Sequence, residues 1–266
     1  MKTTRVKLMT LLILLFSLEL FSATDTLKEI QKRSKLRVGL DVGYMPFEMA
    51  DKKNNIIGFD IDLAKLMARE MGVKLEIVNT EWDGIIPALL TNKFDMVIAG
   101  MTITTKRNMK INFSDPYVTI GQTVLIKKSL KGVIKSYRDL NNPKYKVSSK
   151  LGTTGEQAIK KYLPKAKYKA YQTSQDAAME VVNGRIDAFV YDLPFNIIFN
   201  ASKGQGKLHF LKKTFTHEPL AIAVRQDDPN ILNFLNNFLA QIKADGRYDR
   251  MYKKWFEKTD WLKNVK

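Results

Sequence analysis

The chain contains no cysteine. Disulfides, thiolate metal sites and a lipid-modified cysteine behind a leader are therefore excluded. Histidine is nearly as scarce. His209 and His217 are too few for a histidine metal cluster, so neither a metal nor a cofactor is expected. No GxxxxGK[ST] phosphate loop occurs. Low-complexity tracts and short tandem repeats are also lacking. After the N-terminal segment, no apolar run approaches the roughly 20 residues that a membrane span needs.

That N-terminal segment has its own character. Lys2, Arg5 and Lys7 form a positive head, and Leu8–Leu20 is mostly apolar, with Glu19 near its end. Ser22 and Ala23 are small. The pattern is that of a secretory signal over residues 1–23, with cleavage expected near Ser22–Thr24. Net charge is +17 over 266 residues, and removal of residues 1–23 leaves +15. The lysines are dispersed, as in KSLKG and KKYLPKAKYK, rather than gathered in one stripe. Dispersed lysine reads as a solvated surface, and with a secretory signal it argues against a nucleic-acid partner. A hydrophobic fraction of 45% suits a globular core.

The remaining pattern is a βα alternation. Leu36–Leu40, Lys74–Val78, Phe94–Ala99, Thr123–Lys127, Lys146–Ser149, Ala188–Tyr191 and Leu220–Val224 read as strands. Helices are expected over Asp60–Met71, Trp82–Thr91, Thr154–Tyr162, Ser174–Asn183 and Asp228–Ala244. Gly72 closes the first of these, and a serine cap opens the one at Ser174. Alternation of this kind predicts parallel-rich sheets flanked by helices.

Phe94–Tyr117 carries most of the chemical signal. A short apolar run with one charge, Asp95, leads to Gly100, the hydroxyls of Thr102 and Thr104, and Arg107. Ligands of open α/β sheets sit at the carboxyl ends of strands, and arginine offers a fork matched to a carboxylate. The bland alternative is a threonine-rich surface turn with a solvated arginine. Asp192 stands at the end of another apolar run, where a carboxylate is either ion-paired or aimed at a cation. Together Arg107 and Asp192 could grip the two ends of a zwitterion. Tyr44 and Trp82 are candidate walls for its carbon stem, with core packing as their alternative.

Several motifs carry a family resemblance. They are GFDIDLAKLMAREMG (Gly58–Gly72), WDGIIPALL (Trp82–Leu90), FDMVIAGMTITTKR (Phe94–Arg107), FSDPY (Phe113–Tyr117), KLGTTGE (Lys150–Glu156), GRIDAFVYD (Gly184–Asp192) and DGRYDRMYKKWF (Asp245–Phe256). In this order they resemble family 3 periplasmic solute-binding proteins, the receptors of polar amino acid ABC importers. Thr105 and Lys106 depart from the proline and glutamate often found there.

The resemblance implies an α/β, two-lobed periplasmic binding protein fold of type II with a two-strand hinge. Lobe 1 would comprise residues 24–118 and 219–266, and lobe 2 residues 119–218. The crossovers would lie near Tyr117–Gln122 and His217–Leu220. Arg107, Thr153 and Thr154 would hold a ligand carboxylate. Asp192, Thr102 and the Gly100 carbonyl would meet its ammonium. Asp41 and Lys150 could face the distal end. If Lys150 points to solvent, a basic amino acid fits; if both point inward, an amide such as glutamine fits. Lysine or arginine is favoured.

An inner-membrane permease with a cytoplasmic ATPase is the implied partner of a monomer in a Gram-negative periplasm, soluble and without a lipid anchor. The same scaffold also resembles cyclohexadienyl dehydratases. Such elimination chemistry needs a proton donor, for which Asp41, Glu156 or Asp192 could be proposed, and no residue pair forces that role. A sensing module working with a separate membrane receptor is a third reading.

Overall fold

A computed structural model describes residues 25–265. The expected secretory signal over residues 1–23 lies outside them. Two five-stranded mixed sheets organise the chain. The first has the order Lys74–Asn79, Lys35–Leu40, Met96–Val97, Ala223–Val224, Asn112–Phe113. Its first three strands run parallel, with Val38 beside both Ile77 and Met96. Ala223–Val224 enters antiparallel. The second sheet has the order Lys167–Tyr171, Lys146–Lys150, Ala188–Asp192, Gln122–Lys127, Leu208–Leu211. Parallel pairing again holds for the first three, and Gln122–Lys127 runs antiparallel to both of its neighbours.

A separate two-stranded ribbon links the sheets. Val118–Ile120 pairs antiparallel with Glu218–Leu220, so the chain leaves the first sheet and returns to it side by side. Pro219 lies within this ribbon. The expected single strand Leu220–Val224 is thereby divided. Leu220 belongs to the ribbon and Ala223–Val224 to the first sheet. Between them the Ala221 N–H donates to the Met101 carbonyl and the Ile222 carbonyl accepts from Ser114. One continuous apolar run thus serves two sheets.

Helices cover the sheets as the periodicity implies. Phe59–Glu70 buries Phe59, Ile61, Leu63, Ala64, Leu66, Met67 and Ala68. It also buries Asp60, a charge on the apolar side. Pro229–Ala244 is capped by Asp228, whose carboxylate accepts from the Ile231 N–H at 3.1 Å. Ser174–Val182 is capped by Thr173, which accepts from Asp176 N–H at 3.0 Å, so the expected serine cap is corrected to threonine. Ser174 is instead the first helical residue. The regular strand at 94–99 shrinks to Met96–Val97, although all six residues are buried. Among the described residues, no helix is long and apolar enough to cross a membrane.

Candidate functional site

The cleft between the two sheets holds a cavity of only about 20 Å³. That is little more than the room one water needs and far below the roughly 300–1,000 Å³ usual for small-molecule sites, so the two walls stand close together. The carboxyl ends of strands from both sheets reach it, as doubly wound topology dictates. Asp41 follows Lys35–Leu40, Gly100 follows Met96–Val97, Lys150 ends Lys146–Lys150, and Asp192 ends Ala188–Asp192. All ten residues singled out from sequence line it: Asp41, Tyr44, Trp82, Gly100, Thr102, Arg107, Lys150, Thr153, Thr154 and Asp192.

Gly100 is required by close packing. It sits at φ +54°, and a Cβ there would meet Tyr44 Cε1 at 2.4 Å. Its N–H donates to Asp60 Oδ2 at 2.7 Å and to the Tyr117 hydroxyl at 3.1 Å. The buried Asp60 therefore fixes the turn on which Thr102 and Arg107 follow. Thr104 caps the one-turn helix Thr105–Asn108, and this aims Arg107 into the cleft. Arg107 Nη1 donates to the Thr102 carbonyl at 2.8 Å. Arg107 Nη2 reaches across to the Gly152 carbonyl at 3.4 Å. Burial lowers the Arg107 pKa to about 10, so the group stays cationic at neutral pH.

Asp192 is buried on the opposite wall. Its Oδ2 accepts from the Tyr44 hydroxyl and its Oδ1 from Gln122 Nε2, each at 2.5 Å. Burial raises its pKa to about 7, with repulsion from Glu218 adding to the effect. The two hydrogen bonds and Arg107 oppose that rise. Tyr44 is itself wedged by Phe47, stacked at 4.6 Å, and Tyr191, edge-on at 5.6 Å. Trp82 lies beneath both cations of the cavity, 5.3 Å from the Arg107 guanidinium and 5.9 Å from Lys150 Nζ. Its indole N–H donates to the Gly152 carbonyl at 3.1 Å.

Lys150 points inward rather than to solvent and pairs with Asp41 at 2.5 Å across the cleft, so this pair taken alone meets the condition set for an amide and not the one set for a basic side chain. Thr153 caps the helix Thr154–Tyr162 and also donates to the Lys150 carbonyl at 2.7 Å. Gly155 lets that helix start directly against the sheet, because a Cβ there would lie 2.5 Å from Ser149 Oγ. Thr154 accepts from Gln122 Nε2 at 3.2 Å.

Three contributors were not singled out from sequence. Glu48 lines the cavity and is 1% exposed. Tyr191 lines it as well, and Gln122 orients Asp192 from below. A glutamate between Phe47 and Met49 in an apolar stretch was the available signal for Glu48.

Residues 36–258 match the family model described as bacterial extracellular solute-binding proteins, family 3. The chain belongs to this family. The ABC transporter arginine-binding protein 1 of Escherichia coli K12 is 34% identical over 225 residues, covering 84% of this chain and 90% of that protein. A binding component of an ABC transporter from Wolinella succinogenes DSM 1740, solved in complex with lysine, is 52% identical. It matches with a TM-score of 0.84 over 87% of this chain and all of that one. An ancestral amino-acid-binding protein, described as a precursor of cyclohexadienyl dehydratase, is 53% identical with a TM-score of 0.83, covering 87% of this chain and 100% of its own. The architecture is accordingly the two-lobed, type II periplasmic binding protein fold of family 3, with the 118–120 and 218–220 ribbon as its hinge.

Proposed function

We propose that this protein is the periplasmic substrate-binding component of an amino acid ABC importer. It takes a polar or basic L-amino acid, lysine or arginine ahead of glutamine, into the cleft. The observation that carries this reading is the meeting of Arg107 and Asp192 in one cavity. A guanidinium suits the ligand carboxylate, and a carboxylate suits its α-ammonium. Thr102, Thr153, Thr154 and the Gly100 carbonyl add polar contacts, while Tyr44 and Trp82 flank the stem. The names of the arginine-binding relative and the lysine-bound neighbour support the basic preference.

Residues 24–118 and 219–266 would close against 119–218 around the ligand. Contacts that ligand makes with both lobes favour the closed arrangement. The closed monomer would then dock on an inner-membrane permease driven by a cytoplasmic ATPase. Residues 1–23 would direct export to the periplasm.

A second reading, glutamine, draws on the inward Asp41–Lys150 pair, which offers an amide both an acceptor and a donor. Binding is preferred to dehydratase chemistry because a prephenate-like acid brings no ammonium for Asp192. Formation of phenylpyruvate from prephenate would overturn that preference. The direct test is a thermal-shift screen against all amino acids. Lysine and arginine should raise the melting temperature most; no response to any amino acid would refute the proposal.

A further inference from the structure

We infer that Glu48 is the residue that receives the distal cation of the ligand, and that it gives up a proton when a basic amino acid binds. This rests on the amino-acid-binding reading and assigns the selectivity of that same site.

Two groups of charges line the cavity. Arg107 and Asp192 form one and are matched to the ligand's α-carboxylate and α-ammonium. Asp41, Lys150 and Glu48 form the other. Lys150 is already engaged by Asp41. Glu48 is left over. It is 1% exposed, and its buried Oε2 has no hydrogen-bond partner. Its ionised form would be costly to bury unanswered, so on this cavity wall the carboxylate calls for a cation from elsewhere. With Glu48 protonated, the other lining charges are two acids, Asp41 and Asp192, against two bases, Lys150 and Arg107. A zwitterion leaves that balance unchanged, whereas the additional cation of lysine or arginine is answered only when Glu48 ionises.

Backbone geometry holds Glu48 in place. Its carbonyl accepts from the Tyr44 N–H at 2.8 Å and its N–H donates to the Tyr44 carbonyl at 3.0 Å, so the acid is fixed to the aromatic wall. The groups that face it are Asp60, Asp41 and Lys150, together with the phenols of Tyr44, Tyr117 and Tyr191. Burial, then Asp60, raises its pKa, and Lys150 only partly offsets this. The carboxyl is therefore held protonated until a ligand cation arrives. The O–H bond then breaks, the proton passes to buffer, and a carboxylate–cation pair forms.

Calorimetry of the full mature chain with L-lysine, L-arginine and L-glutamine, each in buffers of different ionisation enthalpy, tests this. Wild type should release more protons with lysine or arginine than with glutamine. Asp192 is common to all three ligands and cancels from the difference. Glu48→Gln should remove the difference and lower the lysine-to-glutamine affinity ratio roughly 10- to 100-fold, the worth of a hydrogen bond to a charged group. Equal proton release for the three ligands by wild type overturns the assignment without any variant, as does an unchanged affinity ratio in Glu48→Gln. Failure of wild type to bind any amino acid would instead remove the functional reading on which the assignment stands.

Discussion

Tyr44 and Asp192, 148 positions apart, meet through a 2.5 Å hydrogen bond that joins the two lobes across the cleft. The phenol follows the first sheet's strand Lys35–Leu40, and the carboxylate ends a strand of the second sheet. The bond therefore ties the two walls of the cleft together and also favours the charged form of Asp192. Tyr44→Phe should lower stability by about 1.5–3 kcal/mol, the range for a hydrogen bond to a charged group. Losing a bond that favours the carboxylate should also push Asp192 further up, so amino-acid affinity should need a higher pH. Thermal melts and calorimetry across pH check both effects.

Arg107 should dominate affinity. Arg107→Ala strips the guanidinium from the site and should weaken amino-acid binding by about 2–5 kcal/mol, as for truncation of a buried, hydrogen-bonded charge pair. Titration calorimetry checks this, and circular dichroism should show an intact fold. Unchanged affinity would place Arg107 outside the ligand site.

The raised Asp192 pKa gives a defined pH dependence. In the folded protein it lies at about 7, against an ordinary 3.8. The native state thus holds this proton more tightly than the unfolded chain. Its stabilising contribution is complete below about 4 and is lost as pH rises towards 7. Ligand binding should run the other way, because an α-ammonium and a proton compete for the same carboxylate. Without amino acid the melting temperature should fall between pH 5 and pH 8, while affinity rises. Melting curves with and without ligand over that interval check the opposed slopes.

Asp41 should influence side-chain preference. Asp41→Asn removes the partner of Lys150 and leaves that ammonium unneutralised at 5% exposure. Lysine and arginine should then lose more affinity than glutamine. Equal loss across the three would mean that Asp41 does not read the side chain.

Much of this arrangement is legible in the sequence, for physical reasons. Arg107 and Asp192 each follow an apolar run, and a strand's carboxyl end is where an α/β sheet presents groups to a ligand. The helices Phe59–Glu70 and Thr154–Tyr162 announce themselves through periodic apolar faces and terminal residues. Asp41 and Lys150 are individually conspicuous, but their pairing joins positions 109 apart and depends on how the lobes meet. The direction in which Lys150 faces is therefore not written in its local sequence. Glu48 escaped because it occupies the irregular segment before Met49–Ala50, where no periodicity assigns a face. Gln122 opens a strand, and its contact with Asp192 arises from the antiparallel pairing of Gln122–Lys127 with Ala188–Asp192. The split of Leu220–Val224 between ribbon and sheet was hidden because both halves are equally apolar.

The most direct measurement is titration calorimetry with L-lysine beside two truncated analogues, cadaverine without the carboxylate and 6-aminohexanoate without the α-ammonium. Lysine should bind, and each analogue should lose nearly all affinity, since Arg107 or Asp192 would be left buried without its counter-charge. Binding of either analogue as tight as that of lysine would contradict the account.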